Sequence, residues 1–243
     1  MSERTSYSLW GMVAIAVGIV ISAAIISGAA LEVKRSRDTI TVTGSARMQV
    51  ASDYIVWRGS IVVNAATLQA ASKEVHENRA RVQKFFKENG IADTAAEFKT
   101  VYSNAHQEYK DGVFTGRISG YEVSQGFEVR SSDLDKVLSV ADAMEALMRE
   151  GVSLQLNAPE FFYTRLDEVR VKLMADATID ARRRAEQIAA AAGGKIGPIR
   201  EARMGVIQVV SPNSTTVSDY GIYDTSTREK DVFAAVKVVF AIK

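Results

Sequence analysis

The sequence predicts an α+β protein, a two-layer domain with helices packed on a mostly antiparallel sheet, preceded by one N-terminal transmembrane helix. Three observations lead there. Segments rich in β-branched residues alternate with segments whose apolar residues recur at helical spacing. The strand-like segments tend to come in adjacent pairs, which favours antiparallel hairpins over the strand-helix-strand alternation of a parallel sheet. Residues 9–31 contain no charged side chain.

Composition narrows the partners. Of 243 residues 47% are apolar, and 30 basic residues against 29 acidic ones leave a net charge of +1. Global disorder is excluded. Nucleic acid is not expected as a partner, since the longest basic block is only Arg182, Arg183 and Arg184. Cysteine is absent, so there is no disulfide framework, thiol nucleophile or cysteine-type zinc site.

At 1.5 Å per residue, a helix over 9–31 covers the roughly 30 Å hydrocarbon core of a bilayer. Trp10 at one end and Lys34, Arg35 and Arg37 beyond the other are residue types that settle at the headgroups. The expected organisation is a short tail at 1–8, a membrane anchor at 9–31, a polar link at 32–38 and the α+β domain at 39–243. A cleaved signal peptide is the rival reading, because Ser27, Gly28, Ala29 and Ala30 resemble a small-residue cleavage site. The apolar stretch is longer than a signal's core and only Arg4 is basic before it, which favours an uncleaved anchor. Ala14, Gly18 and Ser22 form a small-residue face that permits close packing in lipid, although such spacing is equally expected by chance there. Three basic residues after the span against one before it place the domain in the cytoplasm by the positive-inside rule.

Within the domain, 40–50 and 53–63 read as two strands joined at Ala51 and Ser52 in a hairpin. Leu68, Ala71, Val75, Val82 and Phe85 then keep helical spacing up to the stop Asn89-Gly90. A second hairpin follows, 98–105 and 118–130 around a polar turn at Lys110, Asp111 and Gly112. Ser132 and Asp135 resemble a capping box for a helix that runs to Gly151. Residues 152–163 are extended, with Pro159 marking an edge or bulge. A third helix over 166–192 presents Leu166, Val169, Leu173, Ala177, Ala181, Ala185 and Ile188, a face small enough to lie close to a sheet, and Gly193-Gly194 ends it. Strands at 199–210 and 232–242 flank a polar loop at 211–229, long enough to be either mobile or functional.

Candidate chemistry is sparse. Gly193-Gly194-Lys195-Ile196-Gly197 has the letters of a phosphate loop in the wrong order and reads as a helix stop. His76 and His106 are the only histidines, and no spacing sets two imidazoles on one metal. His76 is expected on a helix surface, while His106, following a strand beside Glu108 and Tyr109, is the one residue for which a weak metal or acid–base role is conceivable. Asp133/Asp135 and Asp167/Glu168 sit at predicted helix starts, where the macrodipole favours negative charge. Asn213-Ser214-Thr215 matches a glycosylation acceptor, a frequent chance tripeptide. Tyr220, Tyr223 and Phe233 are either an interface patch or sheet packing. No catalytic, cofactor-binding or metal-ligating residue is assigned.

The strand Ile40-Thr41-Val42-Thr43-Gly44-Ser45-Ala46 followed by Asp53, the turn Asn89-Gly90-Ile91, the strand Ile118-Ser119-Gly120-Tyr121-Glu122-Val123 and the alanine-rich third helix resemble the SIMPL-domain family. The resemblance covers about residues 39–243. It implies a helices-on-sheet fold and an exported bacterial envelope protein, in a family that includes a periplasmic immunogen and a protein linked to oxidative-stress defence. At least one member assembles into a hollow, channel-like homo-oligomer, which implies self-association. No catalytic residues are defined for the family, so none carry over. The long apolar helix and the 211–229 loop depart from its pattern.

The expected function is therefore non-enzymatic. It is that of a single-pass inner-membrane protein with its domain in the periplasm, against the charge count, that assembles into a large homo-oligomer with a structural role. Its expected partners are its own copies and, through 9–31, the bilayer. A binding module for a ligand or partner protein is the alternative, and a hydrolase with a dispersed site a weaker one. The strand at 232–242 offers a contact between copies, since Val236, Val238, Phe240 and Ile242 face one side while Val239 and Ala241 keep the other partly apolar.

Overall fold

The computed structural model describes residues 17–23, 25–27, 38–216 and 218–242. The anchor expected at 9–31 lies largely outside these residues. Residues 17–23 and 25–27 are helical, and among the described residues no helix is long and apolar enough to cross a membrane.

The elements in chain order are β1 (Thr39–Ala51), β2 (Tyr54–Ala65), α1 (Leu68–Glu88), β3 (Ala96–Lys110), β4 (Val113–Ser131), α2 (Leu134–Ala143), α3 (Glu145–Arg149), β5 (Leu154–Leu156), β6 (Glu160–Phe162), α4 (Leu166–Ala191), β7 (Ile196–Met204), β8 (Gln208–Val210) and β9 (Glu229–Ile242). The fold is α+β with antiparallel sheets and helices, as the sequence predicts.

The glycine stops act as expected. Gly90, Gly151 and Gly193 all take positive φ (75°, 89° and 76°) just beyond a helix. In each case the glycine N–H bonds three residues back and the next N–H five back: Gly90 to Lys87 and Ile91 to Phe86, Gly151 to Met148 and Val152 to Leu147, Gly193 to Ala190 and Gly194 to Ala189. These are Schellman closures, and they satisfy carbonyls the helix leaves without a partner. At the other ends, the Thr67 hydroxyl caps α1 through Ala70 N (3.2 Å). The capping box expected on Ser132 and Asp135 does not form. Asp133 caps α2 instead, its carboxylate accepting from Lys136 N at 3.0 Å. The expected helix from there to Gly151 is also broken at Met144, whose N–H is shared between the carbonyls of Val140 and Ala141.

Of the described residues, one unit takes those within Met1–Arg47, Arg170–Ile207 and Phe233–Lys243, and a second takes Met48–Val169 and Gln208–Val232. The single sheet expected over 39–243 is two sheets, one ordered β1-β9-β7 with β8 also on β9, the other β3-β4-β2-β5 with β6 also on β2. The hairpin expected between β1 and β2 is not made. Ser52 N donates to Arg228 O and Asp53 N to Phe162 O, while the Asp53 carboxylate takes the Thr164 amide (2.8 Å) and hydroxyl (3.0 Å). These bonds commit the two residues to separate partners where a hairpin needs a tight turn.

In the second unit, β2, α1, β3, β4, α2 with α3, and β5 follow one another in the split β-α-β-β-α-β arrangement, with every strand pair in that sheet antiparallel. Its helix-covered face holds an edge-to-face aromatic cluster in which Trp57 meets Phe86 (6.3 Å between centroids) and Phe127 (5.6 Å), and Phe86 meets Phe127 (5.4 Å). The Trp57 indole N–H is satisfied by Asn157 O at 3.0 Å. Around the cluster lie Ile55, Ile61, Val129, Val137 and Met144.

In the first unit the small face of α4, Ala177, Ala181 and Ala185, packs on Val42, Val236, Val238 and Phe240, as the alanine spacing predicts; Ile188, expected on this face, is exposed, and Ala189 is buried one position further on. Gly44 makes the close approach possible. On the side chain of Asp180 the Ser45 amide finds its acceptor (3.0 Å), which covers part of the free edge of β1. The single strand expected at 199–210 breaks at residues 205–207, between β7 and β8.

Candidate interaction surface

Strand lengths in the second unit do not match. Pairing of β2 with β4 ends at Ala65 opposite Tyr121, whereas β3 and β4 continue together to a turn at Asp111 (φ 50°) and Gly112 (φ 81°), with Lys110 opposite Val113. Two left-handed central residues make the tight turn that suits twisted strands. Beyond the last β2 residue the pair is a two-stranded ribbon, and every residue from 101 to 119 is exposed. Residues 106–110 of β3 and 113–120 of β4 form it, a length of about 20 Å.

Its side chains are not those of a solvated ribbon. Tyr109, Val113, Phe114 and Ile118 all stand exposed on it, Val113 by 70%, as do Val101 and Tyr102 on the part of β3 that precedes it. Tyr109 and Phe114 face each other across the ladder with centroids 5.9 Å apart. Val113 and Phe114 are consecutive in the strand and so point to opposite faces, which makes both faces partly apolar. Glu108, Lys110, Asp111 and Arg117 leave the ribbon without net charge. A two-stranded hairpin is marginal in water by itself, and clustered exposed apolar groups mark surfaces that meet something else. By contrast Val171, Ile179 and Ile188 are exposed at scattered angles around α4 and form no stripe.

The residues singled out in the sequence are dispersed. His76 is exposed on α1. His106 lies on the ribbon with Nε2 2.8 Å from Asn64 Oδ1, while Glu108 takes the Thr115 hydroxyl and Tyr109 donates to Gln107. No proton-transfer pair results. Gly193-Gly194 closes a helix C-terminus, the wrong end for a phosphate. Among the described residues no group of three or more metal-ligating side chains converges.

The long loop is tied down. Lys230 is fully buried, and its ammonium donates to the carbonyls of Asp224 (2.5 Å) and Thr227 (2.7 Å). Burial pushes its pKa below the ordinary 10.5, opposed by the Asp224 carboxylate. Val209 N donates to Ile222 O and Asp224 N to Val209 O. Tyr223 stacks on Phe162 (6.0 Å) and its hydroxyl bonds both backbone groups of Tyr163. Tyr220 is 98% exposed and Phe233 half-buried, so these rings occupy different environments. Asn213 takes positive φ (64°) in a turn, its N–H on Asp231.

The outward face of β9 is more polar than its sequence suggests. Val239 shares a shallow concavity of about 280 Å³ with Thr41, Glu201, Arg203 and Lys237. Arg203 and Lys237 are directly opposite in the ladder, and Arg203 pairs with Glu201.

A family model described as SIMPL, protein of unknown function (DUF541), matches residues 40–240. The chain belongs to the SIMPL family. Membership brings this SIMPL chain no known reaction, since the family's function is itself undefined. No curated protein matches its sequence. Among solved structures it is similar to the de novo designed protein Foldit4, at 11% identity over 43% of this chain and 93% of that one, with a TM-score of 0.25. It is similar too to an amidase of the hydantoinase/carbamoylase family from Burkholderia phymatum, at 12% identity over 54% of this chain and 33% of that one, TM-score 0.25. At such scores neither likeness bears on the fold or chemistry of the SIMPL chain.

The ribbon is what the sequence reading missed. Its hairpin was legible, but its overhang was not, because that depends on where β2 stops beside it. The available cue was the adjacent apolar pair Val113-Phe114, which breaks the one-sided alternation of a half-buried strand.

Proposed function

We propose that this SIMPL chain is a membrane-anchored bacterial envelope protein that works by assembling with copies of itself, in a structural role without catalysis. The observation that carries the reading is the ribbon, an extension with exposed apolar groups on both faces and no net charge. A bilayer surface would cover one face or the tip, whereas neighbouring protein can cover both. The uncharged stretch at 9–31 supports a single inner-membrane span. The resemblance to exported proteins supports a folded part in the periplasm, where a shared membrane would raise the local concentration of copies. The test is the native mass of the full chain extracted in mild detergent, with protease added to intact spheroplasts for orientation. A multimer and a digested domain are expected; a monomer, or a domain protected until lysis, overturns the corresponding part.

A second reading, a binding module, is favoured by the concavity on the first unit's sheet. Arg203 and Lys237 face each other across the ladder, and with Glu201 paired to Arg203 the lining keeps a net charge of one positive unit, which a small carboxylate or phosphate ligand would offset. Titration of the protein with inorganic phosphate or acetate, followed by calorimetry, tests it; no saturable heat would remove this reading.

A further inference from the structure

The sheet order leaves β3 as an outer strand with one edge unpaired along its length among the described residues. Proteins protect such edges with proline, charges, bulges or short strands. Here β3 is 15 residues long, and residues 100–107, Thr-Val-Tyr-Ser-Asn-Ala-His-Gln, carry neither a formal charge at neutral pH nor a proline. Its pairing with β4 is regular from Val101 to His106, and the irregularities fall at the two ends of this window, between Phe98 and Val101 and beyond His106. The middle of the edge is therefore a straight, uncharged template.

We infer that this edge pairs antiparallel with the β3 edge of a second copy, joining two five-stranded sheets across a two-fold axis at Ser103 or Asn104. The inference deepens the self-assembly reading and rests on it. Charge favours a second copy as occupant. The window is flanked by Glu97 and Lys99 on one side and by Glu108 and Lys110 on the other, each flank neutral. Antiparallel pairing sets one flank against the other, so no nearby register confronts like net charges. Geometry restricts the register further. A two-fold axis perpendicular to a sheet preserves its faces, and alternate residues point to opposite faces, so only residues of like parity can meet. One residue must then oppose itself: Ser103, which sets Tyr102 against Asn104, or Asn104, which sets Tyr102 against His106. Either register buries Tyr102 and Val101 in a continuous sheet and supplies the backbone partners this edge lacks.

The sequence contains no cysteine, so single cysteines report contacts without background. Directly opposed residues in an antiparallel pair have Cα atoms about 4.5–5.5 Å apart, within disulfide range. The experiment oxidises the full chain mildly in native membranes, carrying Ser103→Cys, Asn104→Cys or, as a control on the other ribbon strand, Thr115→Cys. Native mass is measured on the same preparations. Most of the Ser103→Cys or the Asn104→Cys chain should run as a disulfide dimer, with about ten-fold less for Thr115→Cys. A multimer by mass in which neither edge cysteine links more than Thr115→Cys overturns the edge contact and leaves self-assembly standing. A monomer by mass overturns both. A linked species of other than twice the chain mass shows that the edge takes a different protein.

Discussion

Gly44 lies so close to Ala181 that a methyl group added at Gly44 would stand 2.7 Å from the Ala181 Cβ, and nearer still to the Ala181 nitrogen and the Ala177 carbonyl. Two of these neighbours are helix backbone, which cannot rotate away as a side chain can. Gly44→Ala should therefore separate α4 from β1 and destabilise the protein by about 2–3 kcal/mol or more, as overpacking does. Chemical denaturation measures it; a change below about 0.5 kcal/mol would mean that α4 is free to shift.

Phe127 sits at the junction of the Trp57 and Phe86 rings, and its ring crosses over Gly59, where a methyl would lie 2.5 Å from the Phe127 Cζ. Phe127→Ala should cost about 3–5 kcal/mol through lost burial and a cavity. Gly59→Ala should be destabilising in the opposite sense, by crowding. Thermal unfolding of the two variants checks both, and a near-neutral Gly59→Ala would show that the ring can move aside.

Acid should unfold the protein through specific carboxylates. Burial would raise the Asp53 carboxyl, but the Thr164 amide and hydroxyl and Arg165 outweigh it and hold the group below its ordinary 3.8. At Asp180 the Ser45 amide, against some burial and aided by Arg183 and Arg184, also lowers it below 3.8. A carboxyl depressed in the folded state contributes stability that is complete above its unfolded pKa and is lost as pH falls through the folded one. Tm should therefore drop steeply below about pH 4, and Asp53→Asn should lower Tm at neutral pH while flattening this drop. An unchanged acid slope in Asp53→Asn would contradict the assignment.

Lys230→Met removes the ammonium that holds two carbonyls of the 211–229 loop and takes this donor from both part-buried acceptors. A loss of about 1–3 kcal/mol is expected. Hydrogen exchange should accelerate in residues 222–229 before the aromatic core loosens. Uniform acceleration across the chain would show that Lys230 serves global stability and not the loop.

Val113→Thr with Phe114→Ser at the ribbon tip should leave unfolding free energy within about 0.5 kcal/mol, because these side chains are exposed in the isolated chain. The mass of the detergent-extracted assembly should fall or its dissociation concentration rise. An unaltered assembly would place the contacts off the tip.

Residues 67–90, 110–113 and 166–194 show what the sequence by itself determined. Helix stops at Gly90, Gly151 and Gly193, the Asp111-Gly112 turn and the close-packing alanine face of α4 were all readable, because each is decided by neighbours within a few positions. Even the alanine face told only that a sheet must lie close. What tertiary structure decided was which strands pair. β1 and β2 look like one hairpin, yet hydrogen bonds from Ser52 and Asp53 to groups over a hundred residues away send them into different sheets. The candidate surface follows the same rule. β3 and β4 were legible as strands, but the ribbon exists only because β2 ends at Ala65 and leaves them uncovered. Lys230 likewise reads as an ordinary surface lysine until the loop folds its carbonyls around it. Strand partnership and burial are set by distant contacts, and local pattern carries no record of them.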